Sequence, residues 1–310
     1  MPIQLLFSRL TLPFAATALA SSLWASALGG GQRTFATPQE AARDLLVAAE
    51  ADDLGALNKI FGPGAEEILN SGDAVEDKNN RAWFVKRAKQ SLKEKISPAD
   101  GNRATLLLGT DGFPFPVPLV RTAGRWYFDA TAGKTEILAR RIGSNELDAI
   151  ATCKAYLDAQ YDYASEDRNK NGVPEYARKL ISSSGKRDGL YWPGPDTPPT
   201  GFAIGVKKAQ SEGYRKEGEQ PTPYHGYYFR ILTAQGPAAR GGALDYLQHG
   251  LMIGGFGLVA WPVEYRVSGI MTFVVNQDGV IYQKDLGSST NTAAGAMTAF
   301  DPDKTWRRVR

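Results

Sequence analysis

The sequence has little of what most enzymatic chemistry requires. It contains one cysteine, Cys153, and two histidines, His225 and His249, in 310 residues. A lone cysteine excludes an intramolecular disulfide. No G-x-S-x-G, H-E-x-x-H, Walker A or G-x-G-x-x-G motif occurs. The residue pattern therefore predicts neither nucleophilic hydrolysis nor nucleotide binding.

A strong charge of either sign is also lacking. The chain carries 36 Lys and Arg against 33 Asp and Glu, a formal net charge of +3. Its basic residues cluster only at Arg307, Arg308 and Arg310. Because nucleic-acid binding requires a clustered basic face, we expect no nucleic-acid partner.

Apolar runs are short, and the longest lies near the N-terminus. Residues 11–23 are apolar, follow the single charge of Arg9, and precede the small-x-small sequence Ala25-Ser26-Ala27. This is the three-part pattern of a secretory signal peptide, shorter than the roughly 20 apolar residues of a membrane span. The alternative is a retained membrane anchor. We predict cleavage after Ala27 (signal peptide, residues 1–27), and hence a periplasmic or secreted protein with no later membrane span.

The next hundred residues have the pattern of a first α+β module. Residues 28–33 are interpreted as a linker, and residues 34–131 as three helices followed by a small antiparallel sheet. Thr37 lies three residues before Glu40, which predicts a capping box at the start of the first helix. Three prolines at alternate positions within residues 113–121 predict a sheet edge or an extended segment.

The second predicted module comprises residues 132–310 and opens with a long helix. Apolar residues recur at spacings of three and four from Leu147 to Ala164 and predict one buried stripe about five turns long. Ser144 or Asn145 can cap this helix.

A four-stranded antiparallel sheet is predicted to pack against that helix. Its strands are expected at residues 227–234, 256–261, 269–276 and 280–285, after a short helix at 176–181 and long loops at 182–223. Asp278-Gly279 between the last two strands is a strong hairpin signal. The predicted fold class is therefore α+β throughout.

A polar loop after the long helix has the spacing of the first half of an EF-hand loop. Its candidate calcium ligands are Asp167, Asn169 and Asn171 through side-chain oxygens, Val173 through its carbonyl, and Glu175. Arg178 stands where a bidentate glutamate belongs, so any calcium affinity would fall in the weak range of roughly 10⁻⁴–10⁻³ M. The alternative is an Asx-rich turn that ends a helix. No other cofactor is expected.

Aromatic residues at predicted strand ends and loops form a candidate binding surface. Its members are Tyr191, Trp192, Tyr224, His225, Tyr228 and Trp261. Tyrosine and tryptophan suit a sugar or peptide ligand, but they also cover the ends of small sheets. His225 is either a pocket residue or a solvated loop histidine.

Several longer segments carry a family resemblance. They include PFPVPLV, GRWYFD, RRIGSNELDAI, PYHGYYFRILTAQGP and SGIMTFVVNQDGV, and the similarity runs from about Thr34 to Trp306. In these segments the chain resembles the uncharacterised bacterial exported family known as domain of unknown function 2950. This resemblance implies export and no particular activity.

Two further resemblances concern the modules. The Gly62-Pro63-Gly64 break and the Gly-x-Trp-x-Phe-Asp ending at 124–129 resemble NTF2-like (cystatin-like) domains. The second module is similar to the globular head of type IV pilin-like proteins, with Gly-Tyr-x-Phe at 226–229 and Ala-x-Pro at 260–262. A soluble module precedes its helix, and the helix carries Asp148, so no pilus-type polymerisation is expected.

We interpret the protein as an exported, non-catalytic binding or interaction module whose partner is an envelope protein or a glycan. The alternative is a small-molecule-binding protein or an enzyme that uses the concave face of the first module, lined by Phe115, Trp126 and Phe128. Converging titratable groups in a pocket would favour the enzyme, and a flat aromatic surface would favour the binding module.

Overall fold

The computed structural model describes residues 31–214 and 222–310. The predicted signal peptide, with its cleavage site at Ala27, lies outside the described residues. The predicted α+β class is confirmed, since helices and antiparallel sheets both contribute. In the described ranges, no helix combines the length and apolar character that a membrane crossing requires.

The described residues contain seven α-helices, and the first four follow one another closely. They are α1 (Pro38–Glu50), α2 (Leu54–Phe61), α3 (Ala65–Leu69), α4 (Ala74–Gln90), α5 (Ala130–Ala164), α6 (Gly201–Glu212) and α7 (Thr290–Gly295). Thr37 caps α1 by accepting a hydrogen bond from the Glu40 N–H at 3.1 Å. The Glu40 carboxylate accepts from the N–H of Ala36, one residue before the cap. The capping box thus forms with a small displacement.

The strands fall into two five-stranded sheets and two smaller ones. They are β1 (Leu92–Ile96), β2 (Arg103–Leu108), β3 (Phe113–Pro114), β4 (Leu119–Thr122), β5 (Arg125–Phe128), β6 (Tyr227–Leu232), β7 (Ala234–Gln235), β8 (Leu244–Asp245), β9 (Leu247–Gln248), β10 (Leu251–Met252), β11 (Gly257–Pro262), β12 (Met271–Asn276), β13 (Tyr282–Asp285), β14 (Ala299–Phe300) and β15 (Arg307–Arg308).

The first sheet has the order β1-β2-β4-β5, with β3 paired on β2. The proline-containing strand β3 is only two residues long, whereas β4, which follows the prolines, pairs on both sides. The prediction of a sheet edge or an extended segment therefore holds for the start of residues 113–121. It was wrong for their end, where β4 pairs on both sides. Helices α1, α2 and α4 pack on this sheet around one apolar core.

The second large sheet has the order β15-β13-β12-β11-β6 and is antiparallel throughout. The four segments predicted as strands correspond to β6, β11, β12 and β13. The short strand β15 adds a fifth at one edge, which no sequence pattern had indicated. Strands β11 and β12 are almost wholly buried because helix α5 covers one face and a second apolar cluster covers the other.

Helix α5 is longer than the sequence pattern predicted. It begins after Asp129, whose side chain accepts from the Ala132 N–H at 2.9 Å, and not at Ser144 or Asn145. Its 35 residues span about 52 Å at 1.5 Å per residue. Ile137 packs in the first core and Cys153 in the second. One helix therefore belongs to both modules, and the predicted boundary at 131/132 falls within its first turn.

The buried face of α5 also differs from the predicted stripe. Leu147 is 56% exposed and Tyr161 is 50% exposed. The face turned to the sheet consists instead of Ala149, Cys153, Tyr156, Ala159, Gln160 and Tyr163. The prediction was right for Cys153, and Ile150 and Leu157 pack partly buried against the same core. It was wrong for Leu147 and Tyr161, because small alanines and satisfied polar groups take part in this contact in their place.

Gln160 shows how a polar residue is accommodated in that face. Its amide donates to the Tyr156 hydroxyl and the Ala177 carbonyl, both at 2.9 Å, and accepts from the Ala177 N–H at 2.8 Å. Residues 176–181 form no regular secondary structure and bend at Arg178 and Leu180, so the helix predicted there was wrong. Helix α6 lies where only loops were predicted; Thr200 caps it, and it ends at Gly213 in the left-handed region (φ +107°).

Two glycines of α5 provide a matched test of this packing. A Cβ at Gly133 would lie 2.8 Å from the Val117 Cα and 3.1 Å from the Pro116 carbonyl oxygen, whereas a Cβ at Gly143 would meet nothing within 4 Å. We expect G133A to lower the free energy of unfolding by about 1–3 kcal/mol through overpacking against backbone. We expect G143A to raise it by up to about 1 kcal/mol through helix propensity. Urea unfolding measures both, and equal shifts would contradict the close approach of α5 to the first sheet.

Candidate functional site

The candidate site begins with Asp73, the N-cap of helix α4. One carboxylate oxygen, Oδ1, accepts from the Val75 and Glu76 N–H groups at 3.1 and 3.0 Å. The other, Oδ2, accepts from the Tyr214 hydroxyl at 2.8 Å and from the Gly226 N–H at 3.1 Å. Asp73 is only 1% exposed. A single buried carboxylate therefore satisfies donors from both modules, and we call this contact region the junction.

His225, beside Gly226, lies between two carboxylates. Its Nδ1 is 2.8 Å from Asp148 Oδ2 and its Nε2 is 3.1 Å from Glu212 Oε2. Burial opposes the charge of the ring, but the hydrogen bonds to Asp148 and Glu212 outweigh burial and raise the pKa of His225. Each ring nitrogen lies within hydrogen-bond distance of a carboxylate, an arrangement that favours the imidazolium over the neutral ring.

Glu76 lies in the first turn of α4, facing the same region. Burial raises the pKa of Glu76 to about 7, and the neighbouring Asp73 carboxylate adds to this increase. The positive charges of Arg141 and His225 oppose it. The Asn145 amide donates to Glu76 Oε2 at 3.3 Å. Glu76 is thus a carboxyl group that exchanges its proton near neutral pH.

Two tyrosines complete the junction. Tyr224 stacks on the His225 ring with centroids 4.1 Å apart, and Tyr214 meets Tyr224 edge-on at 5.3 Å. Burial raises the pKa of both phenols, so neither is a phenolate at neutral pH. Because a carboxylate lies at each nitrogen of His225, the geometry suits uptake and release of protons more than nucleophilic catalysis.

The six predicted binding residues occupy three separate places. Tyr191 and Trp192 are buried in the second core at 4% and 5% exposure. Trp261, 4% exposed, packs against Tyr228 on the opposite face of the sheet, with ring centroids 5.6 Å apart. The structure brings Tyr224 and His225 together at the junction. The six residues do not form one surface.

The aromatic residues expected to line a pocket in the first module are packed in its core. Phe128 and Trp126 are 0% and 3% exposed. Phe115 lies against Phe84 at 5.3 Å and stacks with Phe61 at 6.4 Å. Side chains from α2 and α4 therefore fill the concave face that the alternative function requires.

An exposed aromatic cluster lies elsewhere on the first module. Trp83, in the middle of α4, is 47% exposed and meets Phe113 edge-on at 5.5 Å. The guanidinium of Arg87 lies 5.6 Å from the Trp83 ring centre, and that of Arg140 lies 5.1 Å from the Phe113 ring centre. We call these four residues the aromatic–arginine surface. Sequence reasoning missed it, although Trp83 and Arg87 stand one helical turn apart on a largely polar helix.

Each guanidinium of this surface is paired with a carboxylate. Arg87 forms an ion pair with Asp111, and Arg140 forms one with Glu136 at 2.6 Å. The charges balance, so the surface offers both donors and acceptors around its aromatic rings without a net field.

Residues 32–309 match the family described as "Protein of unknown function (DUF2950)". The chain belongs to this family. No curated protein and no solved structure matches the chain. The family resemblance found in the sequence is therefore confirmed, while the resemblances to NTF2-like domains and to pilin heads stay interpretations.

The candidate calcium loop of this DUF2950 chain forms hydrogen bonds within itself. The Asn169 and Asn171 amide nitrogens both lie 2.6 Å from Glu175 Oε1. Asp167 accepts from the Asn171 and Gly172 N–H groups, and Val173 donates its N–H to Asn171. Across residues 31–214 and 222–310, no group of three or more His, Cys, Asp or Glu is arranged to hold a metal ion.

Proposed function

We propose that this DUF2950 protein is an exported, non-catalytic interaction module that contacts its partner through the aromatic–arginine surface. The observation that carries the proposal is the exposure of Trp83 beside Phe113, with guanidinium groups over both rings. Exposed tryptophan and arginine are the residues most enriched at the energetic centres of interfaces.

A non-catalytic role is supported by the state of the acid–base groups. Both nitrogens of His225 are occupied by Asp148 and Glu212. The only cysteine, Cys153, is buried in the second core, and burial raises its pKa to about 12. A thiol with that pKa is not a nucleophile at neutral pH.

The partner class follows from the chemistry of the surface and the expected location. The signal-peptide pattern ending at Ala27 supports a periplasmic or secreted protein, so the partner is an envelope protein or a glycan. Trp83 and Phe113 suit an apolar side chain or the face of a sugar ring, and the two ion pairs supply hydrogen bonds to either.

Replacing the exposed indole tests the proposal. We expect W83A to weaken partner binding by about tenfold or more, because truncating a hot-spot residue costs at least about 1.4–2 kcal/mol. The matched control is I204A, which removes a 60% exposed side chain from α6 and should leave binding unchanged. The measurement is photo-crosslinking from position 86, next to the surface on α4, in the producing cells.

The product of that crosslinking decides the partner class. If W83A abolishes a protein adduct that I204A preserves, the partner is an envelope protein. If W83A abolishes retention on cell-wall glycan and I204A preserves it, the partner is a glycan. Capture that is equal for W83A and I204A contradicts the proposal. The intact mass of the same purified protein checks export, since cleavage after Ala27 leaves Leu28 as the first residue.

We further propose that the loop at residues 167–175 is a weak calcium site. Supporting this, the Asn169 and Asn171 amides both contact the buried Glu175 carboxylate, and rotating these amides would turn their oxygens towards it; Asp167 holds the backbone of the same loop at Gly172. Only a cation would then hold these oxygens together.

Calorimetry and thermal unfolding at calcium concentrations on the order of millimolar test this site. We expect a small binding heat and a higher melting temperature for the wild type, and neither for D167A. The absence of both effects in the wild type would contradict calcium binding.

A further inference from the structure

Two groups that can hold a proton lie at the junction, one in each module. Glu76 belongs to α4 of the first module, and His225 precedes β6 of the second. Both face the buried Asp73 carboxylate, which bonds to the backbone of Glu76 and of Gly226. We propose that the junction is a pH-dependent contact, closed while Glu76 and His225 are protonated and loosened when they lose those protons.

Negative groups crowd this region from every element packed against it. Those that act on Glu76 or His225 are Asp73 at the N-cap of α4, Asp77 in α4, Asp148 in α5 and Glu212 in α6, and Glu264 after β11 acts on the neighbouring Arg141. Among the described residues, four cations oppose them: Arg141 from α5, His225 itself, Lys208 from α6, which pairs with Glu212 Oε1 at 3.4 Å, and Arg81 from α4, which acts on Asp77. The phenols of Tyr214 and Tyr224 stay neutral.

Arg141 cannot move to neutralise this excess of negative charge, because its side chain is hydrogen-bonded to backbone carbonyls. Its guanidinium donates to the Glu67 and Ile68 carbonyls at the end of α3, at 3.2 and 2.7 Å, and it is 9% exposed. Loss of a proton from Glu76 adds a negative charge to the carboxylate cluster, and loss of one from His225 removes the cation between Asp148 and Glu212. Both losses therefore increase repulsion across the junction.

The direction of the pH effect is the same for both groups. In the closed junction the pKa of Glu76 is about 7, above its ordinary value of 4.5, so closure retains a proton that the opened form releases. The pKa of His225 is likewise raised above its ordinary value of 6.5. Closure of the junction is therefore most favourable below about pH 5. It weakens as the pH rises towards 7, because Glu76 loses its proton, and it weakens further above pH 6.5, because His225 loses its proton.

Amide hydrogen exchange reports opening at the residues concerned. The Gly226 N–H is protected by its bond to Asp73, and the Val275 N–H in β12 serves as a reference in the second core. Exchange rates are first corrected for intrinsic base catalysis. We then expect protection of the Gly226 N–H to fall more than about tenfold between pH 5.5 and 8.5, because each pKa unit between the closed and open forms changes the opening equilibrium tenfold. Protection of Val275 should change much less.

Two variants test whether Glu76 causes the pH dependence. E76Q mimics the protonated glutamate and retains an acceptor for Asn145, so protection of Gly226 should lose most of its pH dependence below pH 7. E166Q removes the same charge from a 70% exposed side chain and should follow the wild type. Wild-type protection that is flat or rises with pH would overturn the proposal, as would an E76Q profile that coincides with the wild type.

A second measurement tests the proposal even if the E76Q variant does not fold. In an H249Q variant, His225 supplies the only imidazole signal of the chain. Its NMR titration should have a midpoint above 6.5, and a midpoint at or below that value would also overturn the proposal.

Discussion

Burial of the Asp73 carboxylate is the constraint on which the arrangement of the two modules depends. An unpaired carboxylate in this position would cost several kcal/mol, so the fold must bring donors to both of its oxygens. Helix α4 supplies two N–H groups and its positive N-terminal dipole. The remaining donors, the Tyr214 hydroxyl and the Gly226 N–H, come from a chain segment about 150 residues away. This geometry requires a glycine at position 226, because the backbone there has φ +70° and a Cβ would clash with the Asn145 amide.

The chemistry of the junction follows from the same burial. Burial of Glu76, together with the neighbouring Asp73 carboxylate, raises the pKa of Glu76 to about 7. The hydrogen bonds from His225 to Asp148 and Glu212 outweigh its burial and raise the pKa of His225. His225 also has a left-handed backbone (φ +47°), a conformation that costs a non-glycine residue on the order of 1 kcal/mol. These groups unite the modules and make that union sensitive to protons, and the aromatic–arginine surface lies apart from them on α4 and β3.

Local patterns predicted much of the fold and little of the site. The capping box at Thr37 and the Asp278-Gly279 hairpin depend on neighbours in sequence, and each indicated the observed element. The length of α5 and its buried face did not follow from periodicity, because Ala149, Gln160 and Tyr156 make contacts that hydrophobicity does not score. The junction was unpredictable for a further reason: nothing near Asp73 in the sequence indicates that Tyr214 and Gly226 will meet it. Trp83 was overlooked because a polar helix gives an exposed tryptophan no periodic partner.

The coupling between Asp73 and Tyr214 tests the central claim most directly. A double-mutant cycle with D73A and Y214F, measured by urea unfolding, isolates the bond that crosses the junction from the helix-capping role of Asp73. A hydrogen bond to a buried charge predicts an interaction energy of about 1.5–3 kcal/mol. The same cycle with D53A, which removes the exposed cap of α2, should be additive within about 0.5 kcal/mol. Additivity of D73A and Y214F would show that the buried carboxylate does not join the modules.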